Sequence, residues 1–217
     1  RSCLVGSEMC IRDRIKIDSK YSEAYYWRGN ANKHLGNFKS ALKDFDKAIK
    51  INPEYIKAFL WRAHVYSEIG RHEEAINDLD EAIKIEPKYS PAFYSRGYTK
   101  NELGKYEEAI KDYDESIKLD PKNEDAFNNR GLAKSELGKY EEAIKDYDEA
   151  IKINSKYSIA FNNRGYAKGE LGEQEEAIKD YDEAIKLDPG YKNAFFNRAY
   201  SKDELGKYEE AIKDLNE

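Results

Sequence analysis

Residues 124–157 read EDAFNNRGLAKSELGKYEEAIKDYDEAIKINSKY, and residues 158–191 read SIAFNNRGYAKGELGEQEEAIKDYDEAIKLDPGY. The second stretch repeats the first at an interval of 34 residues. The interval runs along the chain. Gly36, Gly70, Gly104, Gly138, Gly172 and Gly206 keep it without exception, as do Ala41, Ala75, Ala109, Ala143, Ala177 and Ala211. Pro53, Pro87, Pro121 and Pro189 keep it too, with Ser155 in the vacant slot. Self-similarity at this period marks a stacked repeat, in which each unit buries an apolar face against its neighbours. The frame gives units at 22–55, 56–89, 90–123, 124–157 and 158–191, and a truncated sixth at 192–217.

Within 124–157 the pattern predicts two helices, about Glu124–Leu137 and Tyr140–Ile153. Gly138 ends the first, because glycine takes the left-handed C-cap conformation at little cost. In the second, Ala143, Ile144, Tyr147, Ala150 and Ile151 follow the i, i+3, i+4 spacing of one buried stripe. The proline column is expected to stop the second helix in most units, since proline cannot continue the hydrogen-bond ladder. Pro91 instead falls in the first turn of a helix, where a missing N–H costs little.

Composition narrows the function classes. Charged residues are 37% of the 217-residue chain, and Lys+Arg 37 against Asp+Glu 43 leave a net charge of −6. Dense, balanced charge fits helices laced with ion pairs, and 13% aromatics suffice for a core. Acid-then-base pairs four apart are expected on the exposed faces: Glu107–Lys111, Glu141–Lys145, Glu175–Lys179, Asp114–Lys118, Asp148–Lys152 and Asp182–Lys186. No apolar run approaches a membrane span.

Further columns carry a family resemblance. A large aromatic recurs at Tyr25, Phe59, Phe93, Phe127, Phe161 and Phe195. Small residues stand at Gly29, Ala63, Gly97, Gly131, Gly165 and Ala199, opposite the alanine column and Ala48, Ala82, Ser116, Ala150 and Ala184. Bulky groups fill Phe45, Leu79, Tyr113, Tyr147, Tyr181 and Leu215. This helix–turn–helix unit resembles the tetratricopeptide repeat over about residues 15–217. The resemblance implies an all-α fold, a right-handed superhelical solenoid of antiparallel helix pairs. Two columns depart from it. Arg28, Arg62, Arg96, Arg130, Arg164 and Arg198 replace the family's leucine. Of the family's tyrosine only Tyr66 survives, the others being Asn32, Lys100, Lys134, Lys168 and Lys202.

Sixteen residues after each arginine stands an aspartate: Asp44, Asp78, Asp112, Asp146, Asp180 and Asp214. Two readings follow, an ion-pair ladder between first and second helices or between neighbouring units, and an arginine row gripping an acidic ligand.

The resemblance implies that first helices line a concave face. Carried over by register, that face presents three columns. The first is Tyr26, Leu60, Tyr94, Asn128, Asn162 and Phe196. The second is Trp27, Trp61, Ser95, Asn129, Asn163 and Asn197. The third is Asn30, His64, Tyr98, Leu132, Tyr166 and Tyr200. The candidate peptide groove comprises Tyr26, Trp27, Asn30, Trp61, His64, Tyr94, Tyr98, Asn128, Asn129, Asn162, Asn163, Tyr166, Asn197 and Tyr200. Aromatics dominate units one to three and asparagines units four to six. An asparagine amide can donate to and accept from a peptide group at once, so a row of them can hold an extended backbone. Asn129, Asn163 and Asn197 resemble the asparagine ladder in the superhelical repeats of the O-linked N-acetylglucosamine transferase. The bland alternative is a set of solvated helix residues.

Catalytic and cofactor motifs are missing from the sequence. His34, His64 and His72 share no register or metal-ligand spacing, and no glycine-rich phosphate loop occurs. No catalytic, metal or cofactor site is expected. The slots of the chaperone C-terminal carboxylate clamp lack the basic residues that the family mode requires, so no clamp is expected. The expected function is a non-catalytic protein–protein interaction scaffold, taking an extended peptide or partner helix in the groove. The alternative is the regulatory or substrate-recruiting arm of a larger enzyme. A helical-repeat RNA binder would need a basic groove, which the charge opposes.

Residues 1–14, RSCLVGSEMCIRDR, break the frame and hold both cysteines, Cys3 and Cys10. They read as a non-native leader, and 15–21 as the remnant of a preceding repeat. The chain is expected to be a piece of a longer protein. Cysteine-free repeats suit cytoplasm or periplasm alike, so localisation and oligomeric state stay open.

Overall fold

The computed structural model describes residues 21–217, so the expectations for the leader, the cysteines and nearly all of the 15–21 remnant lie outside the described residues. Twelve α-helices make up the described chain, with no strand among those residues: α1 (Ser22–His34), α2 (Phe38–Ile51), α3 (Ile56–Glu68), α4 (His72–Ile85), α5 (Ser90–Glu102), α6 (Tyr106–Leu119), α7 (Glu124–Glu136), α8 (Tyr140–Ile153), α9 (Ser158–Glu170), α10 (Gln174–Leu187), α11 (Lys192–Glu204) and α12 (Tyr208–Leu215). The fold is an all-α repeat solenoid. It divides into two compact units, one through Gly104 and one from Lys105 to Glu217. The division falls between α5 and α6. Pairing inside each unit is antiparallel: Asp44 on α2 meets both Arg28 and Asn32 on α1, while the next residue, Phe45, faces Gly29.

The connection inside each pair follows one design. At Gly138 φ is +72°, the left-handed region that the Cβ of other residues disfavours. Gly138 N–H donates to Ser135 C=O at 2.9 Å and Lys139 N–H to Lys134 C=O at 2.9 Å, the two bonds of a Schellman cap.

Between pairs, the vacant proline slot leaves the helix stop intact. α8 ends beside Ser155, yet Asn154 takes φ −127° and ψ 92°, close to the −129° and 95° of Asn52 before Pro53. At these junctions the cap side chain adds a stop of its own: Asn52, Asp120, Asn154 and Asp188 each accept, through Oδ1, the backbone N–H two residues on, at 3.0–3.2 Å. Glu86, before Pro87, reaches φ −132° and ψ 92° without that turn. The Asx turn thus redirects the chain beside Ser155 where proline is absent.

Small residues let the helices of a pair touch. A Cβ on Gly29 would stand 2.8 Å from Cε1 of Phe45, one on Gly131 2.7 Å from Tyr147, and one on Gly165 2.8 Å from Tyr181. Where the small slot is Ala63, the partner is the narrower Leu79, and both are buried in one cluster.

Arginine supplies the second set of contacts, and the ladder reading holds. Nε and Nη2 of Arg130 grip Asp146 on α8 at 3.0 and 2.5 Å, while Nη1 reaches back to Asp114 on α6 at 2.6 Å. Arg62, Arg164 and Arg198 repeat this, reaching forward to Asp78, Asp180 and Asp214 and back to Asp46, Asp148 and Asp182. Each guanidinium also lies over the aromatic ring three residues before it, 5.3–5.6 Å from the centroid for Phe59, Phe127, Phe161 and Phe195.

The backward bonds alter the expected surface pairing. Asp114, Asp148 and Asp182 serve the next pair's arginine, so Lys118, Lys152 and Lys186 turn to Glu115, Glu149 and Glu183 three residues before them. Lys179 likewise pairs with Glu176 rather than Glu175.

The glycine–aromatic fit gives a test by double-mutant cycle. Gly29→Ala is expected to destabilise the chain by about 1–3 kcal/mol through overpacking against Phe45. Adding Phe45→Leu, the combination already present as Ala63 and Leu79, should restore much of the loss. Strictly additive effects in chemical denaturation would refute the proposed contact.

Candidate peptide-binding face

In the N-terminal unit the expected groove residues separate into supports and lining. Tyr26 is buried, its ring edge-on to Trp27 at 5.1 Å and tilted against Tyr55 at 5.3 Å. Burial pushes its phenol up, while side-chain hydrogen bonds with Asn30 and Trp61 pull the other way. Asn30 is buried with it. Trp27, by contrast, is exposed, and Trp61 half-buried. Lys33 Nζ lies 5.4 Å over the Trp61 ring, and both Lys33 and His64 stand 3.3 Å from Glu68. Burial first, then Lys33, hold the His64 imidazole below its ordinary value. Beside them a cleft of about 270 Å³ opens between α3, α4 and α5, lined by His64, Tyr94 and Tyr98 with Ser67, Leu79 and Thr99.

In the C-terminal unit the asparagines bond to one another. Asn197 Nδ2 donates to Asn162 Oδ1 at 3.0 Å, Asn162 Nδ2 to Asn163 Oδ1 at 3.3 Å, Asn163 Nδ2 to Asn128 Oδ1 at 3.1 Å, and Asn128 Nδ2 to Asn129 Oδ1 at 3.2 Å. Asn128 and Asn162 are buried, so they stand behind the face rather than on it. Asn129, Asn163 and Asn197 are half-buried and hold the outward positions. The chain crosses from helix to helix, α11 to α9 and α9 to α7, and so fixes the amides of successive pairs in one register.

A second cleft, about 190 Å³, lies at the end of that row between α9, α10 and α11. Tyr166, Asn197 and Tyr200 of the candidate groove line it, together with Gly169, Glu170, Tyr181, Phe196 and Ser201. It occupies the same register as the cleft at α3, α4 and α5. The sequence columns held a signal for it, since Gly169 interrupts a column that reads Lys33, Ser67, Asn101, Ser135 and Asp203 elsewhere. Ser135 hydrogen-bonds the Tyr147 hydroxyl at 3.2 Å. With glycine at 169, the Tyr181 hydroxyl bonds Ser201 instead, and burial drives its phenol far up.

The arginine row does not line this face. Arg130 keeps 17% of its side-chain surface exposed and Asp146 5%, whereas Asp114 keeps 52%. The lysines that replace the family's tyrosine face the same buried aspartates: Lys134 meets Asp146, Lys168 Asp180 and Lys202 Asp214, each at 2.8 Å. Burial pushes Asp214 up, but hydrogen bonds from Arg198 and Lys202 outweigh it and hold the carboxyl below its ordinary value. Asp78 has Arg62 but Tyr66 in the lysine slot, and there burial wins, raising the carboxyl. Among the described residues no group of three or more His, Cys, Asp or Glu could hold a metal, and no helix is long and apolar enough to cross a membrane.

Models of the tetratricopeptide repeat match residues 22–55, 56–89, 79–111, 124–157, 158–191 and 180–213, and a TPR repeat model matches 97–138. No curated protein matches the chain. Among solved structures, MamA is 24% identical with a TM-score of 0.68, covering 74% of this chain and 94% of its own. YrrB, described as a TPR protein with an unusual peptide-binding site, is 20% identical with a TM-score of 0.67, covering 85% of this chain and 95% of its own. PilF of Pseudomonas aeruginosa is 18% identical with a TM-score of 0.78, covering 91% of this chain and 89% of its own. At such identities the likeness is one of fold.

The contrast between Asp78 and Asp214 is open to measurement. A raised carboxyl, as at Asp78, contributes stability that is full below the ordinary carboxylate value and lost as pH rises through the folded value. A depressed one, as at Asp214, contributes stability above the ordinary value and loses it as pH falls. Tyr66→Lys supplies a second cation and should lower the Asp78 carboxyl from its raised value, weakening its pH dependence. Titration of the Asp78 carboxyl carbon by NMR checks this. A carboxyl unmoved in the variant would refute the role given to the lysine slot.

Proposed function

The chain belongs to the tetratricopeptide repeat family, and from that premise we propose a non-catalytic interaction scaffold that holds an extended peptide segment of a partner protein along its first-helix face. The observation that carries this is the interlocked asparagine row. Amides braced through buried Asn128 and Asn162 keep fixed orientations, and the half-buried Asn129, Asn163 and Asn197 stand outermost at one per helix pair. An amide carries two donors and an oxygen with two lone pairs, so Asn163, with two hydrogen bonds to its neighbours, and Asn197, with one, keep capacity for a peptide group. Fixed donors lose little entropy on binding, which favours affinity without demanding a particular sequence. In the same unit the exposed Tyr166 and Tyr200 add apolar contact at low entropic cost. The description of YrrB as a peptide-binding TPR protein agrees with this reading. A net charge of −6, and lysines and arginines committed to internal aspartates, support a protein ligand over nucleic acid.

The test is a peptide library screened against the full chain and against the Asn129→Ala, Asn163→Ala, Asn197→Ala triple variant, with melting temperature as the control for folding. Peptides captured by the wild type should bind the folded triple variant about tenfold or more weakly, from three lost hydrogen bonds of modest net worth. Unchanged affinity would count decisively against the asparagine row.

A further inference from the structure

The cleft at Gly169 differs from its counterpart in the N-terminal unit in one electrostatic respect. There the first-helix glutamate, Glu68, is neutralised by Lys33 at 3.3 Å, with the His64 imidazole also 3.3 Å away. Glu170 lines its own cleft and has no ion-pair partner among the described residues. Its contacts are neutral: the Tyr140 hydroxyl donates to Oε2 at 3.3 Å, and Tyr166 is hydrogen-bonded to it. The nearby lysines are committed elsewhere, Lys168 to Asp180 and Lys202 to Asp214. Beside the carboxylate stand two exposed tyrosines, Tyr166 at 44% and Tyr200 at 60% of their full surface, and Phe196 lines the same recess. Two tyrosines open on one recess present a binding surface rather than scattered apolar residues. Aromatic faces attract cations, and an unneutralised carboxylate among them selects for positive charge.

The floor supports the same ligand. Glycine at 169 keeps the recess open: a Cβ there would stand 3.9 Å from both Ser201 Oγ and Tyr181 Oη. It would also stand 3.5 Å from Gln174 Oε1, a buried acceptor that has no hydrogen-bond partner, the amide nitrogen being used on Gly169 C=O at 3.1 Å. Gln174 lies beneath the floor and does not line the cleft; the carboxylate at the wall is the group that calls for a donor. We propose that this cleft is a side-chain subsite for a lysine or arginine of the bound peptide, its aliphatic stem against Tyr166, Phe196 and Tyr200 and its cationic head at Glu170. This rests on the peptide-binding reading of the first-helix face and adds a sequence preference to a grip that is otherwise indifferent to side chains.

The experiment titrates the isotope-labelled full chain with a blocked alanine hexapeptide carrying one central lysine, with its norleucine analogue, and with n-butylammonium. The subsite predicts shifts at Tyr166 and Tyr200, and binding of the lysine peptide about fivefold tighter than the norleucine one. The preference should vanish in Glu170→Gln and in Gly169→Ser. Serine is tolerated at the matching position, Ser135, so Gly169→Ser fills the cleft without threatening the fold. Equal binding of the two peptides, a preference that survives both substitutions, or no binding of either overturns the subsite. If n-butylammonium binds as tightly as the lysine hexapeptide, the occupant is a free amine and the proposal falls. The asparagine triple variant separates the two readings. Peptides that bind without charge preference and weaken in the triple variant leave the groove standing and remove the subsite. A lysine hexapeptide that binds the triple variant with unchanged affinity removes the asparagine row.

Discussion

One side chain per repeat holds the architecture together. On four first helices an arginine closes two nitrogens of its guanidinium on an aspartate of its own pair and the third on an aspartate of the pair before, as at Arg62, Arg130, Arg164 and Arg198. Only a planar fork with donors on two sides can do both at once, so lysine is no substitute. The family's usual leucine would leave the buried aspartate without its main counter-charge. Burying a carboxylate this deeply is unfavourable unless its oxygens are satisfied. The surrounding columns follow from that need. The aromatic three residues before each arginine covers its face, and the lysine four residues after it reaches the same aspartate, as Lys134, Lys168 and Lys202 do. Both departures from the family pattern thus belong to one electrostatic arrangement.

The fold was legible because periodicity is a one-dimensional signal. A glycine every 34 residues locates the connections, and the small and bulky columns locate the contacts. The forward partner of each arginine was legible for the same reason. The backward partner was not. Asp114, Asp148 and Asp182 lie on second helices at spacings that suit a lysine on their own helix, and only stacking places the next arginine closer. The helix stop at the vacant proline slot was a similar case. Asn154 ends α8 by an Asx turn beside Ser155, and the asparagine or aspartate that recurs at that position was overshadowed by the more familiar residue next to it.

The candidate face was legible by column but not by depth. Register placed Asn128 beside Asn129 and Asn162 beside Asn163, without saying which faces outward. Burial decides it: the first of each couple supports and the second presents. The same holds for Tyr26 behind Trp27. A helix advances 100° per residue, so neighbours in sequence stand at different depths. The cleft at Gly169 depended on an exception to a column, a weaker signal than the column itself.

If the arginine bridges fix the first helices, then the register of everything on their face depends on them. Equilibrium denaturation of the full chain carrying Arg130→Leu tests this most directly. The account predicts a loss of about 3 kcal/mol, because Asp146 is left buried with Lys134 alone and Asp114 loses its link to α7. Stability within about 0.5 kcal/mol of the parent, the range of an ordinary surface substitution, would contradict it.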